Sequence, residues 1–213
     1  MSSNINTVIR FDQDRWKVLY QECHAHLREQ DKKRDQTLAL FIALTGYLLS
    51  KDYLFNSQQS LGATIYIGMF FLGILIAFVL IKYKLWHEKY ILSAKTVGFA
   101  MMSEKNFTYN DFNSVFKNYL NKSAAKINFK NVFSSTESLV FNVYLLINSI
   151  NIFVGLNILY GINKNNIIIV ILLALFYLFG FNLLVFKKIK NLYSNGQNSE
   201  DVWILSLWIN NEK

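Results

Sequence analysis

The sequence predicts an all-α polytopic membrane protein: four transmembrane helices, both termini on the inner side, and helical extensions outside the bilayer. Three observations predict it. Apolar residues gather in four blocks, residues 37–55, 61–81, 139–160 and 167–186. Each is near the ~20 residues that carry a helix across a ~30 Å hydrocarbon layer. Of 22 Lys and Arg, 20 lie before the first block, between the second and third, or after the fourth, leaving only Lys51 and Lys164 in the two short connectors. Basic flanks stay on the cytoplasmic side, which sets both termini and the central segment inside. The chain also has no proline and only nine glycines, so its helices can run unbroken. The expected organisation is a cytoplasmic stalk or amphipathic helix (1–36), a first hairpin (37–81), a cytoplasmic helical segment (82–136), a second hairpin (137–186) and a cytoplasmic tail (187–213).

The first element begins with Asp12 or Asp14 as a candidate N-cap for a helix starting near Arg15. Trp16, Leu19, Tyr20, Cys23 and Leu27 recur at three- and four-residue steps and define one face. Nothing breaks the pattern before Gly46, so this helix is expected to continue into the first span and to stand in the cytoplasm as a stalk. The alternative is a helix lying on the bilayer surface with a bend near residues 30–36. Within the first span, Ala39, Ala43, Gly46 and Ser50 fall within about 60° of one another on a helical wheel. Such a small-residue stripe lets a second helix approach closely.

The second span carries two small pairs, Thr64/Gly68 and Gly73/Ala77, on roughly opposite faces, and its helix should run on through residues 85–103. Asn110 is a candidate cap for a short helix with Phe112, Val115, Phe116 and Tyr119 on one face. Ser134 and Glu137 have capping-box spacing at the start of the third span. That span holds Asn142, Asn148, Asn151 and Asn157, and two of them, Asn148 and Asn151, share a face with Gly155. An amide is costly against lipid, so this face should look inward, as interhelical packing or as the lining of a hydrated path. After the fourth span, Lys187, Lys188 and Lys190 form a cytoplasmic anchor, followed by a short apolar tail with Trp203 and Trp208.

The charge and the chemistry narrow the function. The net charge of +8 sits where anionic headgroups attract it, so direct nucleic-acid binding is not expected. The single cysteine, Cys23, has no intramolecular partner and lies on the inferred reducing side. Residues 1–27 hold no short apolar core of a signal peptide, so the first span is expected to direct insertion. On a helix His24 and His26 point about 200° apart, which argues against a metal site with Cys23. His87-Glu88 lacks the second histidine of a zinc-protease motif, because residue 91 is Ile. No span interior contains Asp, Glu or His, and there is no Gly-rich phosphate loop. No enzyme activity, metal or cofactor is expected.

The layout carries one resemblance. The basic segment HLREQDKKRDQ feeds directly into TLALFIALTGYLL, and the second span ends in KYKLWHEKY. This arrangement resembles the small membrane subunits of bacterial anti-phage defence loci. The class includes the SLATT-type and S-4TM-type effectors, the four-span accessory proteins of RNA-targeting CRISPR loci and the membrane subunit of the Kiwa system. The resemblance covers the whole chain in topology. It implies an oligomeric protein of the inner membrane that permeabilises the bilayer or senses its disturbance, working with a soluble cytoplasmic partner encoded nearby. The alternative is a housekeeping channel or transporter component.

A homo-oligomer of four or more copies should pack through Ala39, Ala43, Gly46 and Ser50, with Asn148, Asn151 and Gly155 holding helices together. Membrane lipids surround the spans. The soluble partner should meet Trp16, Tyr20, Phe112, Phe116, Trp203 and Trp208.

Overall fold

In a computed structural model the described residues are 13–51, 59–103, 109–130, 135–161 and 164–198. Among them every long regular element is an α-helix. These are α1 (Gln13–Leu49), α2 (Gln59–Met102), α3 (Tyr109–Lys126), α4 (Thr136–Tyr160) and α5 (Lys164–Asn198).

The helices are long because nothing in their sequence stops them. Helix α1 runs 37 residues, about 55 Å at 1.5 Å per residue, and is unbroken at residues 30–36, where the surface-lying alternative required a bend. Helix α2 runs 44 residues and takes in both the second apolar block and residues 85–102. Three helices are long and apolar enough to cross a membrane among the described residues: α2, α4 and α5. Helix α1 does not qualify. Its apolar stretch begins only after Lys32, Lys33, Arg34 and Asp35, and the helix ends at Leu49, well before the expected limit of Phe55.

Local chemistry sets the ends. At the end of α1, Ser50 N–H donates to the carbonyls of both Gly46 and Tyr47, the tightened turn that satisfies terminal acceptors. Helix α3 already begins at Tyr109, so Asn110 lies inside it rather than capping it. Helix α4 is capped by Ser135, one residue later than the capping-box spacing suggested, and the Ser135 hydroxyl accepts from the Ser138 N–H at 3.2 Å. Ser134 and Asp12 lie outside the described residues. Helix α4 ends at Gly161, whose φ of 64° lets its N–H return to the Asn157 carbonyl at 2.9 Å. A side chain is disfavoured in that conformation, which explains glycine there.

The chain divides into two compact units. One comprises residues 1–31, 83–127 and 188–213. Its described core joins Trp16, Leu19 and Cys23 of α1 to Leu92, Val97 and Ala100 of α2, Phe112, Phe116 and Leu120 of α3, and Ile189 of α5. The 16–19–23 face expected of α1 is therefore buried, with Tyr20 and Leu27 at its margin. The other unit comprises residues 32–82 and 128–187. It buries Leu38, Phe41 and Thr45 of α1, Ala63, Tyr66, Gly73, Ala77 and Leu80 of α2, and Tyr144, Leu145, Asn148 and Asn151 of α4. In α2 the buried positions 63, 66, 73, 77 and 80 keep the a/d spacing of a helix–helix seam. Large apolar side chains cover the outside of this unit, among them Leu40, Tyr47, Phe71, Leu75, Leu172 and Phe176. An aqueous protein would not expose so large an apolar surface.

Candidate functional site: the polar ladder of α4

The buried polar groups of the second unit form a ladder along α4 that reaches three other helices. At one level the Asn151 Nδ2 donates to the Thr45 hydroxyl of α1 at 3.3 Å. One turn earlier the Asn148 Nδ2 donates to the Phe70 carbonyl of α2 at 3.2 Å and to the Tyr177 hydroxyl of α5 at 2.9 Å. The Tyr144 hydroxyl then donates to the Gly73 carbonyl of α2 at 2.6 Å. At the next level the Asn182 Nδ2 of α5 donates to the Asn142 Oδ1 at 2.7 Å. Each of these rungs begins or ends on α4, which makes this helix the hub of the unit.

The rungs lie where backbones come close. A Cβ built on Gly73 would overlap the Asn148 amide, so the amide occupies the space that glycine leaves. A Cβ on Gly155 meets Ile67 Cγ1 at 2.9 Å and the Ala63 carbonyl at 3.3 Å, so α2 and α4 are in contact there too. Small residues thus let α4 press against α2, and the Asn148 amide and Tyr144 hydroxyl then find backbone carbonyls within reach. The Oδ1 atoms of Asn148 and Asn151 are buried without a hydrogen-bond donor among the described residues. Hydroxyls in the apolar helices are handled differently: Ser149 and Thr64 donate to the carbonyls of Leu145 and Ser60, four residues back. This local bond satisfies the hydroxyl without needing another helix.

The other expected packing residues are placed on the opposite kind of surface. Ala39, Ala43, Gly46 and Ser50 all face outward, and a Cβ on Gly46 would meet nothing within 4 Å. The inward face of α1 is Leu38, Phe41 and Thr45 instead. The Ser50 hydroxyl is occupied locally, donating to the Tyr47 carbonyl at 2.7 Å. In α2 the two small pairs divide in the same way, with Gly73 and Ala77 buried and Thr64 and Gly68 exposed.

Among residues expected to meet a partner, Trp16, Phe112 and Phe116 are instead inside the first unit's core. Trp16 stacks on Phe112 with ring centroids 5.4 Å apart. Burying two aromatic faces against each other is more favourable than leaving both in water, so the 3.6-residue pattern that singled them out marks a core. Tyr20 is half-buried, edge-on to His24 at 4.4 Å and close to Gly98, where a Cβ would lie 3.2 Å from its ring. Trp203 and Trp208 lie outside the described residues.

The titratable groups of the first unit are engaged with one another. His87 Nε2 faces Asp31 Oδ1 at 3.7 Å, and the His26 ring stacks on Tyr90 at 5.0 Å. The Tyr193 hydroxyl donates to Glu88 Oε2 at 2.8 Å. Burial, then the Glu88 charge, push that phenol above its ordinary range. The Cys23 thiol is pushed up to about 12, chiefly by burial and secondarily by the charge of Glu22. No group of three or more His, Cys, Asp or Glu among the described residues could hold a metal ion.

Several ladder members were not singled out by spacing. Thr45, Tyr144, Tyr177 and Asn182 are isolated polar residues in apolar runs, and that isolation was the available signal. The chain matches no protein-family model, no curated protein and no solved structure.

Proposed function

We propose that this chain is an oligomeric protein of the bacterial inner membrane, with four spans and both termini in the cytoplasm. In this reading it senses or alters membrane integrity in anti-phage defence, together with a soluble cytoplasmic partner, and it catalyses no reaction. The observation that carries the oligomer is the outward placement of Ala39, Ala43 and Gly46, flanked by exposed Leu40, Ile42 and Tyr47. A groove of small residues between apolar ridges is a surface on which membrane helices associate, and the chain's own helices leave it open. The charge asymmetry supports the orientation. The defence role is supported by the resemblance in layout, with a charged helix running unbroken into an apolar one.

The fourth span in this reading is the apolar block of residues 37–55, whose described part belongs to α1. The partner would meet exposed side chains of the cytoplasmic segments rather than the buried Trp16, Phe112 and Phe116. The test expresses the chain with and without its neighbouring genes, and scores phage protection and dye leakage from the cytoplasm. Protection that depends on both the chain and a soluble neighbour is the expected result. Unchanged phage sensitivity, with a transport or growth defect on deletion, would favour the housekeeping channel or transporter component.

A further inference from the structure

One cavity of the second unit lies beside the ladder and shares Tyr177 with it. It has a volume of about 410 Å³ and lies among α2, α4 and α5, with Phe70, Phe78, Leu173, Tyr177, Gly180 and Leu184 among its walls. That volume is within the ~300–1,000 Å³ of ligand cavities. The few polar groups at its walls are already engaged: the Ser149 hydroxyl donates to Leu145, and the Tyr177 hydroxyl accepts from Asn148. The cleft therefore offers a ligand chiefly apolar contact. Its rim is open to the side, since Phe176 is 76% exposed and Leu173 55% exposed.

The ends of the cleft differ. Ring contacts of Phe70 with Tyr177 and of Phe78 with Phe181, each at 5.5 Å, show that α2 and α5 run in the same direction along it. One turn beyond Phe78, α2 carries Lys82, and about one turn beyond Leu184, α5 carries Lys187. Both are exposed, and both mark the same end. On the helical wheel Lys187 lies within about 60° of Leu184. An apolar slot with two exposed cations one turn beyond the same end matches a molecule with an apolar tail and an anionic head.

We propose that the cleft binds one acyl chain of an anionic glycerophospholipid, with Lys82 and Lys187 holding its phosphate-bearing headgroup. The proposal rests on the membrane placement of α2, α4 and α5 given under Proposed function, and on neither the oligomer nor the defence role. The positive-inside orientation puts the two lysines at the cytoplasmic leaflet, where anionic lipid is available. Surface attraction contributes about fivefold per lysine, and roughly 25-fold for the pair.

The experiment reconstitutes the full chain in vesicles of equimolar phosphatidylglycerol and phosphatidylethanolamine. It is then extracted in mild detergent and the retained lipid is weighed by native mass spectrometry. The expected result is one phosphatidylglycerol per chain. The double variant Lys82→Gln/Lys187→Gln should lose about 25-fold of the headgroup preference while still holding a tail. Gly180→Leu should retain less lipid of either kind, because a Cβ at 180 meets nothing within 4 Å and the added side chain can project into the cleft. Ala174→Phe serves as a second block. Absence of stoichiometric lipid, or wild-type retention by all variants, overturns the proposal. So does a disulfide between copies of Gly180→Cys, which would show that a second chain covers the cleft. Alkaline extraction separates the two failures: release of the wild-type chain from the vesicles would refute the membrane placement itself.

Discussion

Asn148 and Gly73 show how one residue constrains another 75 positions away. The amide sits in the space that a Cβ on Gly73 would need. Gly73→Ala should therefore destabilise the protein by roughly 1–3 kcal/mol through overpacking. Removing the amide relieves the clash, so Gly73→Ala/Asn148→Ala should be less destabilised than the sum of its parts. Thermal unfolding in detergent across the four-member cycle measures this, and additive losses would show that the two positions do not interact. The inward role of Asn148, Asn151 and Gly155 was readable from their shared helical face. Their partners were not, because spacing within one helix says nothing of which backbone passes opposite. Cys23 offers a second residue-scale outcome. Burial, then the charge of Glu22, push its thiol up from the ordinary 9.0 to about 12, so folding favours the protonated form. That contribution is fully present below pH 9 and is lost as pH rises toward 12. Alkaline unfolding of Cys23→Ser should accordingly begin at higher pH than that of wild type, relative to each protein's neutral stability. Maleimide should label wild-type Cys23 at neutral pH only after denaturation.

At the scale of elements, α1 carries two faces with separate uses. Leu38, Phe41 and Thr45 face inward, whereas Ala39, Ala43 and Gly46 face outward. A substitution on the outer face should leave the single chain's fold intact, because Gly46 has open space around it. Gly46→Leu is therefore expected to keep the unfolding temperature of the detergent-solubilised chain within a few degrees while shifting its mass toward the monomer. Light scattering in detergent reads both species, and an unchanged oligomer would rule the stripe out of assembly. The stripe itself was legible as spacing. Its outward direction was not, since an apolar helix in a membrane protein has no polar face to reveal which side is lipid. The aromatic spacing of α3 shows the converse limit. Phe112 and Phe116 share a face for the same reason whether they meet a partner or their own core, and only packing against Trp16 distinguishes the two.

The whole molecule is decided by where its charges and apolar blocks lie along the chain. With 20 of 22 basic residues outside the two short connectors, reporter fusions after Gln58 and Asn163 should behave as external and a fusion after Lys122 as cytoplasmic. A cytoplasmic signal after Gln58 would remove the first span and with it the four-helix topology. That fusion is the most informative, because α1 is the one expected span whose helix falls short of a membrane crossing among the described residues.

Sequence alone determined the all-helical class, the length of the unbroken helices and the apolar character of α2, α4 and α5. These follow from properties local to each stretch: missing prolines, hydrophobic runs and charged flanks. Tertiary structure decided which small residues lie between helices and which are left outside, and which aromatics became core. It also decided which groups the polar side chains of α4 reach. Those choices depend on groups that are 71 to 106 residues apart in the chain, as in the pairs Tyr144–Gly73 and Asn151–Thr45. A period of 3.6 residues carries no information about such separations.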